Sequence, residues 1–186
     1  MSYSPHRIQI VGSSNAGKST LAARLATETG FPRVELDALN WKPNWQGRHQ
    51  HEPDEFRRLI SEATKGDKWI VAGNYTRFSQ ELTWPRADTI IWLDLPLRLL
   101  TLRLICRSWK RWRQNELLWE TNYERFWPHF RFWHPDSLLY WLWSNHGHQR
   151  QNLLNAKTDP RWQHLRMVHL TSAKEIAEFS LKAKSP

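Results

Sequence analysis

The run Gly12-Ser13-Ser14-Asn15-Ala16-Gly17-Lys18-Ser19, followed by Thr20, constrains this chain more than any other feature. It has the form G-x-x-x-x-G-K-[ST], which works only where a strand delivers the chain to it and a helix carries it away. Gly12 and Gly17 let the backbone curl so that successive N–H groups, through Ser13, Ser14, Asn15 and Ala16, converge on a phosphate chain. Lys18 is placed to reach the β- and γ-phosphates, and the Ser19 hydroxyl to bind Mg²⁺. The helix opening at Ser19 and Thr20 aims its positive end at the same anion. The flanks meet the requirement. Residues 6–11 read as a short buried strand, and residues 19–26 as a helix with Leu21 and Leu25 four apart. A nucleoside triphosphate is the expected ligand.

The rest of the chain alternates strand and helix, which implies a parallel sheet with helices on both faces. Strands are expected at 32–37, 68–72, 88–94 and 167–170. Residues 40–50, with Pro43 and Gly47, read as loop. A helix over 53–65 carries Phe56, Leu59, Ile60 and Ala63 on one stripe. Another runs from about 97 into the basic cluster near Arg113, and a last one opens on Ser172 and Glu175, a capping box. Between 113 and 161 the rhythm stops; seven of the thirteen tryptophans fall between Trp109 and Trp143. Two helices are expected there, near 115–126 and 135–148, in a helical lid spanning 108–160 of one 186-residue domain.

Composition bounds the setting. One cysteine, Cys106, excludes an internal disulfide and suits a reducing cytoplasm. Only five residues stand before His6, so no leader is expected, and the apolar stretch 89–106 is broken by Asp94, Arg98 and Arg103, so no membrane span is. A formal charge of +9 suits either a nucleic-acid partner or an enzyme holding two polyanions.

Further candidates gather around the sheet's carboxyl edge, where open α/β folds bind ligands. Asp37, at the end of the second strand, can hold a Mg²⁺ water or accept a proton from a substrate hydroxyl. Trp41 and Trp45 can stack on a flat or sugar-like acceptor. Arg77 and Arg86 can grip an acceptor's anion, though Arg86 can instead pair with Asp88 or Asp94. Arg103, Arg107 and Arg111 lie four apart on one helical face, where an anion would relieve their mutual repulsion.

Several runs resemble one family. Residues 36–45 (Leu-Asp-Ala-Leu-Asn-Trp-Lys-Pro-Asn-Trp), 69–75 (Trp-Ile-Val-Ala-Gly-Asn-Tyr) and 86–96 are similar to signatures of the adenylate-kinase-like DNA topology modulation proteins. So are 116–119 with Asn122 and Glu124, then Asp136, Ser137 and Trp141. The resemblance implies a nucleoside monophosphate kinase-like P-loop fold, a five-stranded parallel sheet flanked by helices with an arginine-bearing lid. It implies ATP with Mg²⁺, Arg103 over the adenine, Arg107 on the phosphates, residues 171–174 beside the base, and Arg150 as a distal lid arginine. Where that family carries an aspartate at the end of the third strand, this chain has Ala72, so Asp37 or Asp94 would have to compensate.

The expectation is therefore a cytoplasmic kinase that moves the γ-phosphoryl of Mg-ATP to a small hydroxyl- or phosphate-bearing acceptor, a nucleotide or sugar acid. Lys18, Asp37, Arg103 and Arg107 would act in transfer. A nucleotide-gated regulator that binds nucleic acid, or an ATPase without acceptor, are the alternatives. Neither the acceptor nor the oligomeric state is legible in the residues.

Overall fold

Parallel strands buried on both faces need continuous apolar runs, and the central strands of this sheet have them. The computed structural model describes residues 5–119, 122–123 and 137–181. Strand β1 (Arg7–Gly12) leads through the glycine loop into helix α1 (Lys18–Thr29), then β2 (Arg33–Glu35) and the short α2 (Leu36–Asn40). Helices α3 (Arg48–His51) and α4 (Pro53–Ala63) precede β3 (Trp69–Ala72), followed by α5 (Thr76–Leu82) and β4 (Thr89–Leu93). Helix α6 (Leu97–Gln114) runs out to a small hairpin, β5 (Leu117–Leu118) and β6 (Asn122–Tyr123). Helix α7 (Leu138–Thr158) returns the chain to β7 (Arg166–Leu170) and α8 (Ala173–Glu178).

Five strands form one sheet in the order β2-β3-β1-β4-β7, with every pairing parallel. This is the α/β fold of P-loop NTPases. Side chains alternate between faces, as the strand period of two requires. Ile8, Ile10, Ile70, Ala72, Ile91 and Leu93 join Leu21 and Leu25 of α1 and Leu100 and Leu104 of α6. Val11, Trp69, Val71, Ile90 and Trp92 face the other way, onto Phe56 and Ile60 of α4. One polar side chain, Gln9, sits fully buried in β1. It is satisfied there, donating to the Gly73 carbonyl at 3.3 Å and accepting from the Thr83 hydroxyl at 2.8 Å.

The structure departs from the sequence expectation in five places. Strand β2 stops at Glu35, and Asp37 lies in the first turn of α2. The 40–50 segment contains α3, and α5 was not foreseen. Of the helix expected near 115–126, the described residues form instead the antiparallel hairpin that pairs Leu117 with Tyr123 and Leu118 with Asn122. The second expected lid helix exists as α7 but runs ten residues further. Glu124 and Asp136, which carry part of the family resemblance, lie outside the described residues.

Helix α7 has an unusual course. Leu139 and Leu142 near its start belong to one core face, while Leu153 and Ala156 near its end belong to the other. Its middle crosses the carboxyl edge of the sheet, where His146 and Arg150, four apart, meet Ser13 and Asp94. Among the described residues, no helix is long and apolar enough to cross a membrane.

Candidate active site

The phosphate loop takes its shape from three residues in left-handed or related conformations: Gly12 (φ 144°), Asn15 (φ 66°) and Gly17 (φ 98°). Ala16 is fully buried and donates its N–H to the Ser13 carbonyl at 3.2 Å, which closes the loop on itself. Ser14 and Asn15 are half-buried on its rim, and Thr20 is exposed in the first turn of α1. Lys18 folds back over the loop and donates to the carbonyls of Gly12 and Ser13, both at 2.9 Å.

The charges around Lys18 define the chemistry. Burial pushes its pKa below the usual lysine value, and the Arg107 guanidinium adds to that; Asp37 and Glu35 pull the other way. Two carboxylates and one guanidinium thus act on one ammonium. Arg103 rests on the loop itself, its Nη1 3.3 Å from the Ala16 carbonyl. Arg111, a turn further out, pairs with Glu116 at 3.7 Å. Of the expected basic face, the structure brings Arg103 and Arg107 to the loop and directs Arg111 elsewhere.

Glu35 was missed in the sequence. Its Oε2 accepts a hydrogen bond from the Ser19 hydroxyl at 2.7 Å. It ends β2, and its register partner on β3 is Ala72. A carboxylate therefore stands on the strand next to the position where the resembling family carries aspartate. A hydroxyl and a carboxylate in contact at the carboxyl edge are hard oxygen donors of the kind Mg²⁺ prefers, so these residues fit that ion. Asp94, the other expected compensator, is committed: it receives Arg150 Nε at 3.0 and 3.2 Å and His169 Nε2 at 2.9 Å.

Asp37 faces a different neighbour. Tyr75, just past β3, donates its hydroxyl to Asp37 Oδ1 at 2.8 Å. Burial first, and the Asp37 charge second, hold the Tyr75 phenol well above its ordinary pKa, so it remains a donor. The ring of Tyr75 packs edge-on against Phe56 at 5.1 Å and His49 at 5.4 Å. Asp37→Asn preserves an oxygen for Tyr75 but removes the charge and the basicity. The expected result is a fall in kcat on the order of 10³-fold with little change in the KM for ATP. Tyr75→Phe, which only frees the carboxylate to rotate, is expected to cost roughly tenfold. Steady-state kinetics of both variants checks the pair.

Trp41 and Trp45 form an aromatic corner beside this wall, their rings 5.6 Å apart at 75°. Trp45 is held in turn by Trp119 at 5.7 Å, and its backbone N–H donates to Asn122 of the hairpin at 2.9 Å. Arg77 opens α5 on the carboxyl side of β3 and is exposed. Arg86 lies at the opposite edge of the sheet. Its guanidinium caps the end of α4, donating to the carbonyls of Thr64, Lys65 and Gly66 at 2.7 to 3.3 Å. It pairs with neither Asp88 nor Asp94, and the expected acceptor role is withdrawn. Past β7, Ser172 accepts from the Glu175 N–H at 3.1 Å while Glu175 reaches back to the Thr171 N–H, a capping box shifted by one residue.

No family model matches the sequence, and no curated relative does. Solved structures are similar to it in fold. A gluconokinase from Sinorhizobium meliloti 1021 superposes with a TM-score of 0.51 at 19% identity, over 94% of this chain and 86% of that one. A sugar kinase from Janibacter sp. HTCC2649 gives 0.48 at 14% identity, over 92% and 89%. Shikimate kinase from Acinetobacter baumannii, in complex with shikimate, gives 0.45 at 16% identity, over 88% and 82%. The first likeness agrees with the α/β architecture built above from the strands and the loop.

Proposed function

We propose that this chain is a kinase that moves the γ-phosphoryl group of Mg-ATP to a hydroxyl of a small acceptor. The observation that carries the reading is the position of Lys18 between two carboxylates with different partners. Glu35 touches the Ser19 hydroxyl, on the metal side; Asp37 is held by Tyr75, on the acceptor side. A plain nucleotide-binding loop needs the first acid and has no use for the second. Adenylate-kinase-like character draws its support from the sequence signatures, and the likeness in fold to a gluconokinase supports a small acceptor.

The mechanism is positioning and charge neutralisation. Loop N–H groups and Lys18 hold the triphosphate. Ser19 and Glu35 would hold Mg²⁺, which when bound neutralises charge on the β- and γ-phosphate oxygens. Asp37 takes the proton of the acceptor hydroxyl as its oxygen bonds to the γ-phosphorus, and the bond to the bridging oxygen breaks to leave ADP. Arg103 and Arg107 offset the negative charge of the departing phosphates.

Mg-dependent ADP release, measured with a panel of sugars, sugar acids and nucleoside monophosphates, tests this reading. One hydroxyl acceptor is expected to raise the rate at least tenfold over ATP alone. A flat panel, with ATP hydrolysis unchanged by any addition, would make the chain an ATPase or a nucleotide-gated binder and sink the proposal.

A further inference from the structure

We infer that His49 is a specificity-determining residue of the acceptor side, offering the bare Nε2 of its ring as a hydrogen-bond acceptor to a second hydroxyl of a polyhydroxy substrate. The inference rests on the kinase reading and names the class of acceptor within it.

The ring is held from behind. Both the backbone N–H and Nδ1 of His49 meet Oδ1 of Asn40, at 2.9 and 2.8 Å. Asn40 is fully buried and ends α2, the same short helix that carries Asp37. A backbone N–H can only donate, so Asn40 must present its oxygen here. An oxygen that also receives Nδ1 requires the proton on Nδ1, which leaves a lone pair on Nε2 of the neutral ring. That atom has no other partner among the described residues. Gly47 makes the arrangement possible: a Cβ there would stand 2.8 Å from Nδ1 and 2.9 Å from Cε1 of this ring.

The ring meets Tyr75 at 5.4 Å and Trp41 at 6.3 Å, both edge-on, and Tyr75 donates to Asp37. Asp37, Tyr75, His49 and Trp41 thus form one continuous wall. The groups facing His49 are His51 and Arg48 on its own helix, Asp37 on α2 and Tyr75 after β3. Arg48 is engaged by the Leu39 carbonyl at 2.8 Å and by Glu52 at 3.7 Å. Burial and His51 lower the His49 pKa and outweigh Asp37, so the ring is neutral at pH 7. Such a wall offers lone pairs from the Asp37 carboxylate and from Nε2. Two hydroxyls can donate to it, whereas a phosphate placed there would meet electron density on both sides.

The test is calorimetric binding, with Mg²⁺ and a non-hydrolysable ATP analogue present, of D-glucose, D-gluconate and myo-inositol against AMP. The expected result is that at least one polyol binds. Its affinity should fall about tenfold or more in His49→Leu and be retained within about threefold in His49→Gln, whose amide oxygen can replace Nε2. Wild-type affinity should also fall as pH is lowered from 6.5 through the ring's folded pKa and Nε2 gains a proton, while His49→Gln stays flat. Binding of AMP alone, no binding by any of the three polyols, or polyol affinity indifferent to both pH and His49→Leu overturns the inference. Lys18-dependent ADP release with AMP as acceptor would remove this role for His49 while leaving the kinase standing.

Discussion

Lys18→Met is expected to lower Mg-dependent ADP release by on the order of 10³-fold while leaving the melting temperature unchanged or raised. Activity should collapse because the ammonium both touches the loop, at the carbonyls of Gly12 and Ser13, and feels the charges of Asp37 and Glu35. Stability should not, because that charge opposes folding. Its pKa is lowered in the fold, so the unfolded chain binds the proton more tightly. The cost of burying the charge is fully present below the folded value and fades as pH rises from there to the ordinary one near 10.5. Methionine fills the stem's volume without the charge. The gap in melting temperature between variant and wild type should be widest below the folded value and narrow as pH rises toward 10.5. A variant that melts several degrees lower at pH 7 would show the ammonium to be a structural peg of the loop.

Gly12→Ala is expected to cost about 2–4 kcal/mol and to lower the melting temperature by roughly 5–15 °C. Two penalties coincide at that residue. Its φ of 144° is one that side-chain-bearing residues rarely adopt, and a Cβ would lie 2.5 Å from the Leu93 carbonyl oxygen. That oxygen is backbone of the neighbouring strand, in register with Gly12 itself, so relief requires the sheet to shift. Gly30→Ala provides the contrast. Gly30 has a φ of 72° at the end of α1, but nothing lies within 4 Å of its added Cβ. Only the conformational penalty applies, about 1–2 kcal/mol. Thermal melts of the two variants separate the terms; equal losses would mean that the contact with Leu93 relaxes freely.

The loop and the alternation of strands with helices were legible because each rests on local chemistry. A G-x-x-x-x-G-K-S run between a buried strand and a helix has one structural solution, and continuous apolar runs such as 89–93 belong inside parallel sheets. Lys18 and Ser19 follow from that spacing, and Arg103 and Arg107 were picked out by their own four-residue spacing on one helical face. What stayed hidden depends on partners distant in sequence. Arg86 looked like a ligand clamp because nothing local shows that three carbonyls at the end of α4 await it. Glu35 escaped notice because β2 was read two residues too long, which gave its place to Asp37. A signal existed: two carboxylates two apart, straddling a strand end, put one acid beside the loop and one beyond it. His49 had none, since its orientation is set by Asn40, nine residues away across a turn. Helix α7 was underestimated for a related reason. Its buried residues Leu139, Leu142, Leu153 and Ala156 share one side, but the exposed Tyr140, Trp141 and Trp143 spread apolar residues around the rest of the helix and blur the periodicity that marks an amphipathic one.

The seat of α7 in both core layers has a consequence for how the molecule comes apart. A helix seated on one side of a sheet can peel away with that side and leave the other intact. Here Leu139 and Leu142 are anchored in one layer of the core, Leu153 and Ala156 in the other, with the Ser13 and Asp94 contacts between them. Between His146 and Arg150 the helical rise is about 6 Å, a span fixed by backbone hydrogen bonds. Loosening either layer drags on the rod that the other layer grips. The two halves of the hydrophobic interior are therefore yoked through the rim that carries the glycine loop, so that losing one layer carries the other with it.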